Sequence, residues 1–361
     1  MSNNGVFKTL DPKKVVNSVE VLSEQIPITG TIISGTFGTF PSESNVKYFS
    51  STEDHIDVYD YPYASSSANF LFSMTAGYAS AASPAANTEA TLKNNIYRQF
   101  SQQYVGYDTN QDPVEFNASG VLNPPNTFPP KFDGAVFIDF SRVLMKDEIK
   151  KGSFQITIGT ASYANPFAGS KTFSDAHVVE GNQSTYKSNS PMGEYALLQE
   201  GTTSTVPSST QNGFLFYQAG LLVLAANTQT FGTELTSGSS FVTTTAQTPN
   251  AALLSGSVND FVNGVRAHIQ NIQFNNTTEL NSTNYFVSAE PGEFNYSNNP
   301  SFVSGSQIIV KNGKASNPST TYITTVGLYS ADNQLLAVGK LSEPLKKTPT
   351  YPVNLNIRID Y

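Results

Sequence analysis

Apolar and polar residues alternate strictly near the end of the chain, in "VNLNIRIDY" at 353–361. A period of two residues is typical of a half-buried antiparallel strand. Upstream, "TYITTVGLY" at 321–329 and "QLLAVGKL" at 334–341 flank the polar residues "SADN". Two such runs joined by a short polar segment predict a β-hairpin. The polar stretch "SEPLKKTPTYP" is then expected to connect this hairpin to the last strand.

Further runs of strand length lie in the middle of the chain. "FLFSMTAGY" at 70–78 alternates, and "GAVFIDF" at 134–140 is almost continuously apolar, as in a buried strand. "NGFLFYQAGLLVLAA" at 212–226 divides around "QAG" into two strands of a second predicted hairpin. These runs indicate a sheet with a well-buried centre.

Two segments have the period of an α-helix. One lies near 88–105, where large apolar residues recur at every fourth position: Leu92, Ile96, Phe100 and Tyr104. The other lies near 258–270, after a Ser257–Asp260 pair with the spacing of a capping box. A third, shorter helix is predicted within 141–152, before the alternating "FQITIG".

These elements predict a mainly β protein with an antiparallel β-sandwich-like core and a few short helices, with α+β as the alternative. Residues 1–65 are expected to form an N-terminal extended arm and the first strands. The main core is expected to combine residues 66–160 and 257–361. Residues 161–256 contain few charges and are expected to form an insertion or a second lobe.

Composition narrows the function classes. Charged residues are only 13% of the chain, about half the ~25% of typical soluble domains, which favours a protein that is covered by others in an assembly. A net charge of −8 without any Lys/Arg stripe argues against nucleic-acid binding. The longest apolar stretch, at 213–226, is too short to cross a membrane as a helix, and the first residues do not resemble a secretory signal. We therefore expect synthesis in the cytosol and no membrane partner.

Catalytic signatures are missing from the sequence. It contains no cysteine and none of the common nucleophile, phosphate-loop, dinucleotide or zinc motifs. A glycosidase using Asp139 and Glu194 is an alternative that one sequence leaves open, because such carboxylates are usually distant along the chain. We nevertheless predict a protein that is not an enzyme, without catalytic residues or cofactor.

Acidic residues surround one histidine, His55, in "STEDHIDVYDY". Asp54, Asp57 and Asp60 supply the oxygen ligands that Ca²⁺ or Mg²⁺ prefers. Their spacing matches no known cation-binding loop, so we predict a solvated acidic loop and no metal site. Whether this group binds a cation stays open at the level of sequence.

An unusually long polar run, "FNNTTELNSTNYF" at 274–286, lies between two phenylalanines. Its glycosylation-like triplets are interpreted as chance matches in a chain rich in Asn and Thr. We predict a strand with a flanking loop, with Phe274 and Phe286 in the core. The polar side chains are then expected to face a neighbouring subunit, along an edge that is open to a partner strand.

Several segments closely resemble one family of viral proteins. The polar run, "FNYSNNPSFVSGSQIIVKN" at 294–312 and "TYITTVGLYSADNQLLAVGKLSEPLKK" at 321–347 are similar to virion structural proteins of T-even-like contractile-tailed bacteriophages, including those of marine cyanobacteria. "MKDEIKKGSFQITIG" at 145–159 and "KSNSPMGEYALL" at 187–198 fit the same family in the same order. The resemblance covers most of the chain after residue 65 and implies no catalytic residues.

The resemblance implies an assembly module of a virion, in the contractile tail, its baseplate or the neck. Its partners would be other virion proteins, and it would be present in several copies or as a homo-oligomer within a symmetric assembly. Two alternatives stay open: a receptor- or carbohydrate-binding protein associated with a fibre, and a capsid decoration protein. The sequence does not distinguish these positions in the particle.

Overall fold

The structure is a computed structural model of the chain. It describes residues 8–27, 43–49, 55–79, 88–108, 110–116, 131–161, 165–175, 178–179, 183–184, 186–201, 212–235, 247–297, 299–305, 307–308 and 320–361. The fold is mainly β with short helices and a large antiparallel sheet, which confirms the predicted class.

Strands make up most of the regular structure. The strands are β1 (Val15–Pro27), β2 (Val46–Phe49), β3 (His55–Tyr59), β4 (Phe70–Tyr78), β5 (Gly134–Phe140), β6 (Glu148–Ile149), β7 (Gln155–Gly159), β8 (Ser170–Ser174), β9 (Val178–Val179), β10 (Gln183–Ser184), β11 (Tyr186–Ser190), β12 (Gly193–Glu200), β13 (Gly213–Phe216), β14 (Leu221–Ala225), β15 (Ile269–Ala289), β16 (Val303–Ser304), β17 (Gln307–Ile308), β18 (Thr321–Tyr329), β19 (Leu335–Lys347) and β20 (Val353–Asp360). The α-helices are α1 (Thr88–Tyr104), α2 (Arg142–Met145), α3 (Thr228–Phe231), α4 (Pro249–Ser255) and α5 (Val258–His268).

The chain divides into two compact units. The larger unit is Leu22–Thr278, and the smaller unit combines Met1–Val21 with Glu279–Tyr361. Strands β1 and β15 each begin in one unit and end in the other. The three-part division predicted from charge and composition stays a prediction.

The larger unit is built on an antiparallel sheet whose two faces are both buried. Residues directly opposite each other in neighbouring strands share a face. Phe137 in β5, Val223 in β14 and Phe214 in β13 form one such row, and the adjacent row consists of Ile138, Leu222 and Leu215. The two rows belong to separate hydrophobic clusters, so the central strands place apolar side chains on both faces of the sheet.

A helix covers the first of these faces. Phe100 of α1 stacks on Phe137 of β5, with ring centroids 4.1 Å apart. Tyr97 packs edge-on against Phe116 at 5.8 Å and donates its hydroxyl proton to the carbonyl of Phe132 at 2.9 Å. The predicted helix near 88–105 is therefore confirmed, and its apolar stripe packs against the sheet.

Other strands and α5 cover the opposite face. Phe140 of β5 lies 5.9 Å from Phe154, which precedes β7, and 5.3 Å from Phe274 of β15. Strand β5 is hydrogen-bonded to β4 and β14 and not to β7 or β15, so these rings pack between the faces of different parts of the sheet, as between the layers of a sandwich. Helix α5 begins after Ser257, whose hydroxyl accepts the amide of Asp260 as the capping box predicts, and it ends at His268.

In the described residues of the smaller unit, the end of β15 pairs with β20, and two further strand pairs lie apart from this sheet; β1, which begins in this unit, also pairs with β15. Strand β20 is antiparallel to the end of β15, and its residues alternate between half-buried and exposed, as the period of two predicts. Strands β18 and β19 form the predicted hairpin, which pairs with no other strand in the part of the chain that the structure describes. Strands β16 and β17 form the third pair.

Three sequence-based expectations need correction. Strand β19 runs on to Lys347, so most of "SEPLKK" is strand and not connector, although four residues bulge opposite Thr324. The helix predicted within 141–152 ends at Met145, because Lys146 takes a positive φ and the chain then forms β6 against β15. Phe286 is 44% exposed and is not a core residue.

Candidate protein–protein interface

The described acidic residues around His55 are bonded to other groups of the protein. Asp57 accepts the Ser73 hydroxyl at 2.5 Å, and Asp60 accepts the backbone and side-chain amides of Asn69. His55 stacks on Phe49 with a centroid separation of 4.4 Å. Asp54 lies outside the described residues. No group of three possible metal ligands occurs within the part of the chain that the structure describes.

The two carboxylates considered for glycoside hydrolysis lie on different faces of the sheet. Residues in register lead from one strand to the next across the sheet. Asp139 of β5 is opposite Leu221, Leu221 is opposite Phe216, and Phe216 is opposite Tyr195 of β12. Glu194 is the neighbour of Tyr195, so its side chain points to the opposite face, three strands and ~14 Å away. Retaining and inverting glycosidases need separations of ~5–10 Å on one substrate. This pair does not meet that requirement.

The individual environments of these carboxylates also differ. Loss of water around the side chain raises the pKa of Asp139 to about 6, and the nearby Arg142 guanidinium opposes the rise. Glu194 forms an ion pair with Lys151. The carboxylates of Asp139 and Glu194 therefore lie in separate environments and are too far apart to act on one substrate.

Several polar side chains of the run in β15 are buried and hydrogen-bonded inside the chain, so these do not face a neighbouring subunit. Asn276 is buried, accepts the amide of Glu24 at 3.1 Å and donates to the carbonyl of Leu144 at 2.8 Å. Ser282 is also buried, and its hydroxyl donates to Asp360 at 2.6 Å. Strand β15 has hydrogen-bonded neighbours in the sheet order on both sides, so it is not an open edge.

Buried ionisable groups of the larger unit hold loops and helix ends. Asp175 accepts the amides of Gly152 and Phe154 and the hydroxyl of Tyr217; burial raises its pKa, and these bonds oppose the rise. The Lys93 ammonium donates to the carbonyls of Leu253, at 2.8 Å, and Gly256, where α4 ends. Such roles are structural, because each charge is bonded to backbone groups that fix a loop.

The described residues of the smaller unit form no hydrophobic core comparable to the two clusters of the larger unit. Among its described apolar residues only Ala289 and Phe302 are buried, and neither belongs to the two hydrophobic clusters. Its buried side chains are mostly polar: Ser282, Thr283, Thr321 and Lys347. Ordering a residue costs ~1–2 kcal/mol of backbone entropy, which apolar burial normally offsets. The described residues of this unit provide little of that compensation among themselves.

Most of the exposed large apolar side chains of the described chain also lie in the smaller unit. They are Val16, Val19, Val21, Phe286, Tyr296, Ile308, Tyr322, Tyr329, Leu335, Leu336, Val338, Leu345, Tyr351 and Tyr361. Exposed apolar residues scattered singly are normal, whereas a concentration of them marks an interaction surface. The sequence did not reveal this concentration, because apolar residues in a strand are normally read as facing a core.

We name the β18–β19 hairpin, Thr321–Tyr329 with Leu335–Lys347, the ribbon. Leu336 is 62% exposed, Tyr322 58% and Val338 54%. Other residues of the ribbon, such as Ile323 and Val326, are only partly buried. An isolated two-stranded ribbon is marginally stable in water and needs a third strand or a packed face. The ribbon therefore combines exposed apolar side chains with the strand edges of an isolated two-stranded sheet.

The base of the ribbon is fixed by a buried ammonium group. Lys347 is fully buried, and its Nζ donates to the carbonyls of Thr348 at 2.9 Å and Pro291 at 3.3 Å and to the side chain of Asn295 at 3.1 Å. At the other strand, the Thr321 hydroxyl donates to the carbonyl of Phe294 at 2.9 Å. Both strands are thus attached to the turn at 291–295.

Replacement of Lys347 by Met is expected to loosen this attachment by about 1–3 kcal/mol, because it leaves buried oxygens without donors. The expected result is faster hydrogen exchange at the 291–295 turn and at the base of the ribbon. Lys346→Met is the matched control, since Lys346 is the exposed neighbour on the same strand. Equal exchange in both variants would contradict this role for Lys347.

Comparison with known proteins identifies no related protein. No protein-family model, curated protein or solved structure matches this chain. Within the described residues, no helix is both long and apolar enough to span a membrane. Function must therefore be argued from the ribbon, the coreless smaller unit and the separation of the carboxylates.

Proposed function

We propose that the chain is a bacteriophage virion structural protein that acts through protein–protein interfaces, in the contractile tail, its baseplate or the neck. The larger unit is the folded scaffold, and the smaller unit is the part that other virion proteins cover. The chain has no enzymatic role in this proposal. It works at its site in the particle, after synthesis in the host cytoplasm.

The observation that carries the proposal is the coreless smaller unit with its exposed ribbon. A unit that buries two described apolar residues and exposes many others is stabilised when a partner removes those side chains from water. Each fully buried Leu, Val or Phe side chain contributes ~1.5–3 kcal/mol, so a few such contacts are enough to order the ribbon. Assembly into a particle supplies such contacts at high local concentration.

Composition and resemblance support the same proposal. Charged residues at 13% provide weak electrostatic repulsion between neighbouring copies, which suits a protein packed among others. The segment at 321–347, which resembles a virion structural family, is the ribbon itself. The separation of Asp139 from Glu194 removes the pair considered for an enzyme.

Quantitative mass spectrometry of purified particles tests the proposal. Particles of the virus that encodes the chain are separated into heads, tails and baseplates by stepwise dissociation. We expect the chain in a fixed ratio to the tail, baseplate or neck proteins. Its absence from washed particles would overturn the proposal, and its recovery with heads alone would instead support capsid decoration. Recovery only with detached fibres would support the receptor-binding alternative.

A further inference from the structure

The two edges of the ribbon differ in chemistry. Strand β18, "TYITTVGLY", contains neither a charged residue nor a proline. Strand β19 contains Lys340, Glu343, Pro344 and Lys346. Charges and proline at a strand edge are the features that prevent pairing with another chain. Strand β18 therefore carries none of these protective features, and no other strand within the described residues pairs with it besides β19.

We propose that β18 pairs in an antiparallel manner with β18 of a second copy of this chain, which joins two ribbons into a four-stranded sheet. This inference rests on the proposed function and names one of the partners that the smaller unit binds. The twofold axis lies between the two β18 strands, beside Thr325, which is the central residue of Thr321–Tyr329. The resulting contact is isologous, as in most homodimers.

A second copy fits this edge because the strand is compatible with itself. A pairing centred on Thr325 places Tyr322 opposite Leu328 of the second copy, and Thr325 opposite its own counterpart. Aromatic–aliphatic and Thr–Thr pairs are favourable across strands, and like charges are the pairs that oppose association. Strand β18 carries no charge of either sign, so self-pairing meets no repulsion. Pairing also extends the two-stranded ribbon beyond the size that is marginal in water.

Single-cysteine cross-linking tests the pairing, because the chain contains no cysteine of its own. Two cysteines at a central register position lie within the ~4.4–6.8 Å between Cα atoms that a disulfide requires. Thr325→Cys is therefore expected to form a disulfide-linked dimer under mild oxidation. Val338→Cys is the control: it is 54% exposed on β19, opposite Gly327. In the proposed dimer its two copies are separated by at least three strand spacings, ~14 Å.

Charge substitution gives an independent test in solution. Sedimentation of the full chain is expected to show a reversible dimer, and Thr325→Lys is expected to weaken it at least about tenfold by placing two lysines together. Thr325→Glu alone is expected to do the same, and an equimolar mixture of both variants is expected to restore the dimer. Hydrogen exchange in the larger unit checks that each variant is folded.

Specific results would overturn the inference. They are a wild-type chain that stays monomeric at all concentrations, equal cross-linking of Thr325→Cys and Val338→Cys, or a dimer unaffected by both charged variants. Mass spectrometry of purified particles tests the proposed function separately from self-pairing. A monomeric chain that still enters tails or baseplates in fixed ratio refutes self-pairing and leaves the assembly role standing. A dimer that is absent from particles refutes the assembly role alone.

Discussion

Replacement of three exposed apolar residues of the ribbon by threonine is expected to abolish incorporation of the chain into particles without unfolding it. The variant is Tyr322→Thr, Leu336→Thr and Val338→Thr. These side chains are 58%, 62% and 54% exposed, so they contribute little to the fold of the free chain. Threonine keeps the strand preference of the ribbon because it is β-branched. The expected change in unfolding free energy is within about 0.5 kcal/mol per site.

The effect on assembly is expected to be large because these residues would be buried by partners. Apolar burial contributes ~25 cal/mol per Å², and truncation of a central interface residue often costs 2 kcal/mol or more. Three such losses would reduce the affinity by several orders of magnitude. The measurement is the amount of the chain in particles grown from a gene-deleted virus complemented with the variant.

A matched control uses exposed apolar residues of the larger unit. Tyr61→Thr, Tyr107→Thr and Val143→Thr remove side chains that are 57%, 50% and 83% exposed. Incorporation of this control at the wild-type level is expected. If the ribbon variant also entered particles at the wild-type level, the ribbon would not be the assembly surface. An equal loss of incorporation in both variants would indicate that exposed apolar residues outside the ribbon contribute to assembly as much as those of the ribbon.

The second large effect concerns the core of the larger unit. Phe274→Ala is expected to lower the free energy of unfolding by about 3–5 kcal/mol, as is typical for a buried phenylalanine. Phe274 is 1% exposed and packs against Phe140, with centroids 5.3 Å apart, and against Phe154 at 6.4 Å. Its removal leaves a cavity between two layers that aromatic rings fill. Denaturant unfolding followed by circular dichroism measures the change.

The same strand provides the control for this prediction. Phe286→Ala removes an identical side chain from β15 at a position that is 44% exposed, and the expected loss is below about 1 kcal/mol. Similar losses for the two variants would contradict the placement of Phe274 in the core and Phe286 at the surface. A loss of more than 3 kcal/mol only for Phe286→Ala would reverse the assignment.

The larger unit shows which features a sequence predicts well. Strands β4 and β5 have the bounds that the apolar runs predict, and α5 begins at its capping box. In these segments period, length and capping all indicate the same structure. The third predicted helix was wrong beyond Met145, because the positive φ of Lys146 and the pairing of β6 with β15 replace its later turns. Pairing between residues more than a hundred positions apart is not visible in a local pattern.

The polar run shows why the candidate interface could not be placed from sequence. Asparagine and threonine residues in β15 suggested an exposed edge, yet Asn276 is buried and bonded to Glu24 and Leu144. The ribbon was predicted as a hairpin, but its sequence did not indicate that side chains such as Tyr322, Leu336 and Val338 are exposed. In both cases the pattern predicts a strand correctly, whereas the identity of its neighbours depends on tertiary pairing. The interface proposed from the structure therefore lies on a different strand from the one expected from the sequence.

Hydroxyl-radical footprinting of the chain within intact particles tests the central claim most directly. Tyr322, Leu336 and Val338 should be oxidised readily in the free chain, where each is more than half exposed. In particles the account predicts oxidation as slow as that of Tyr97, which is 1% exposed and gives an internal reference for a buried side chain. Ribbon residues that are oxidised in particles as fast as in the free chain would contradict the claim that other chains cover the smaller unit.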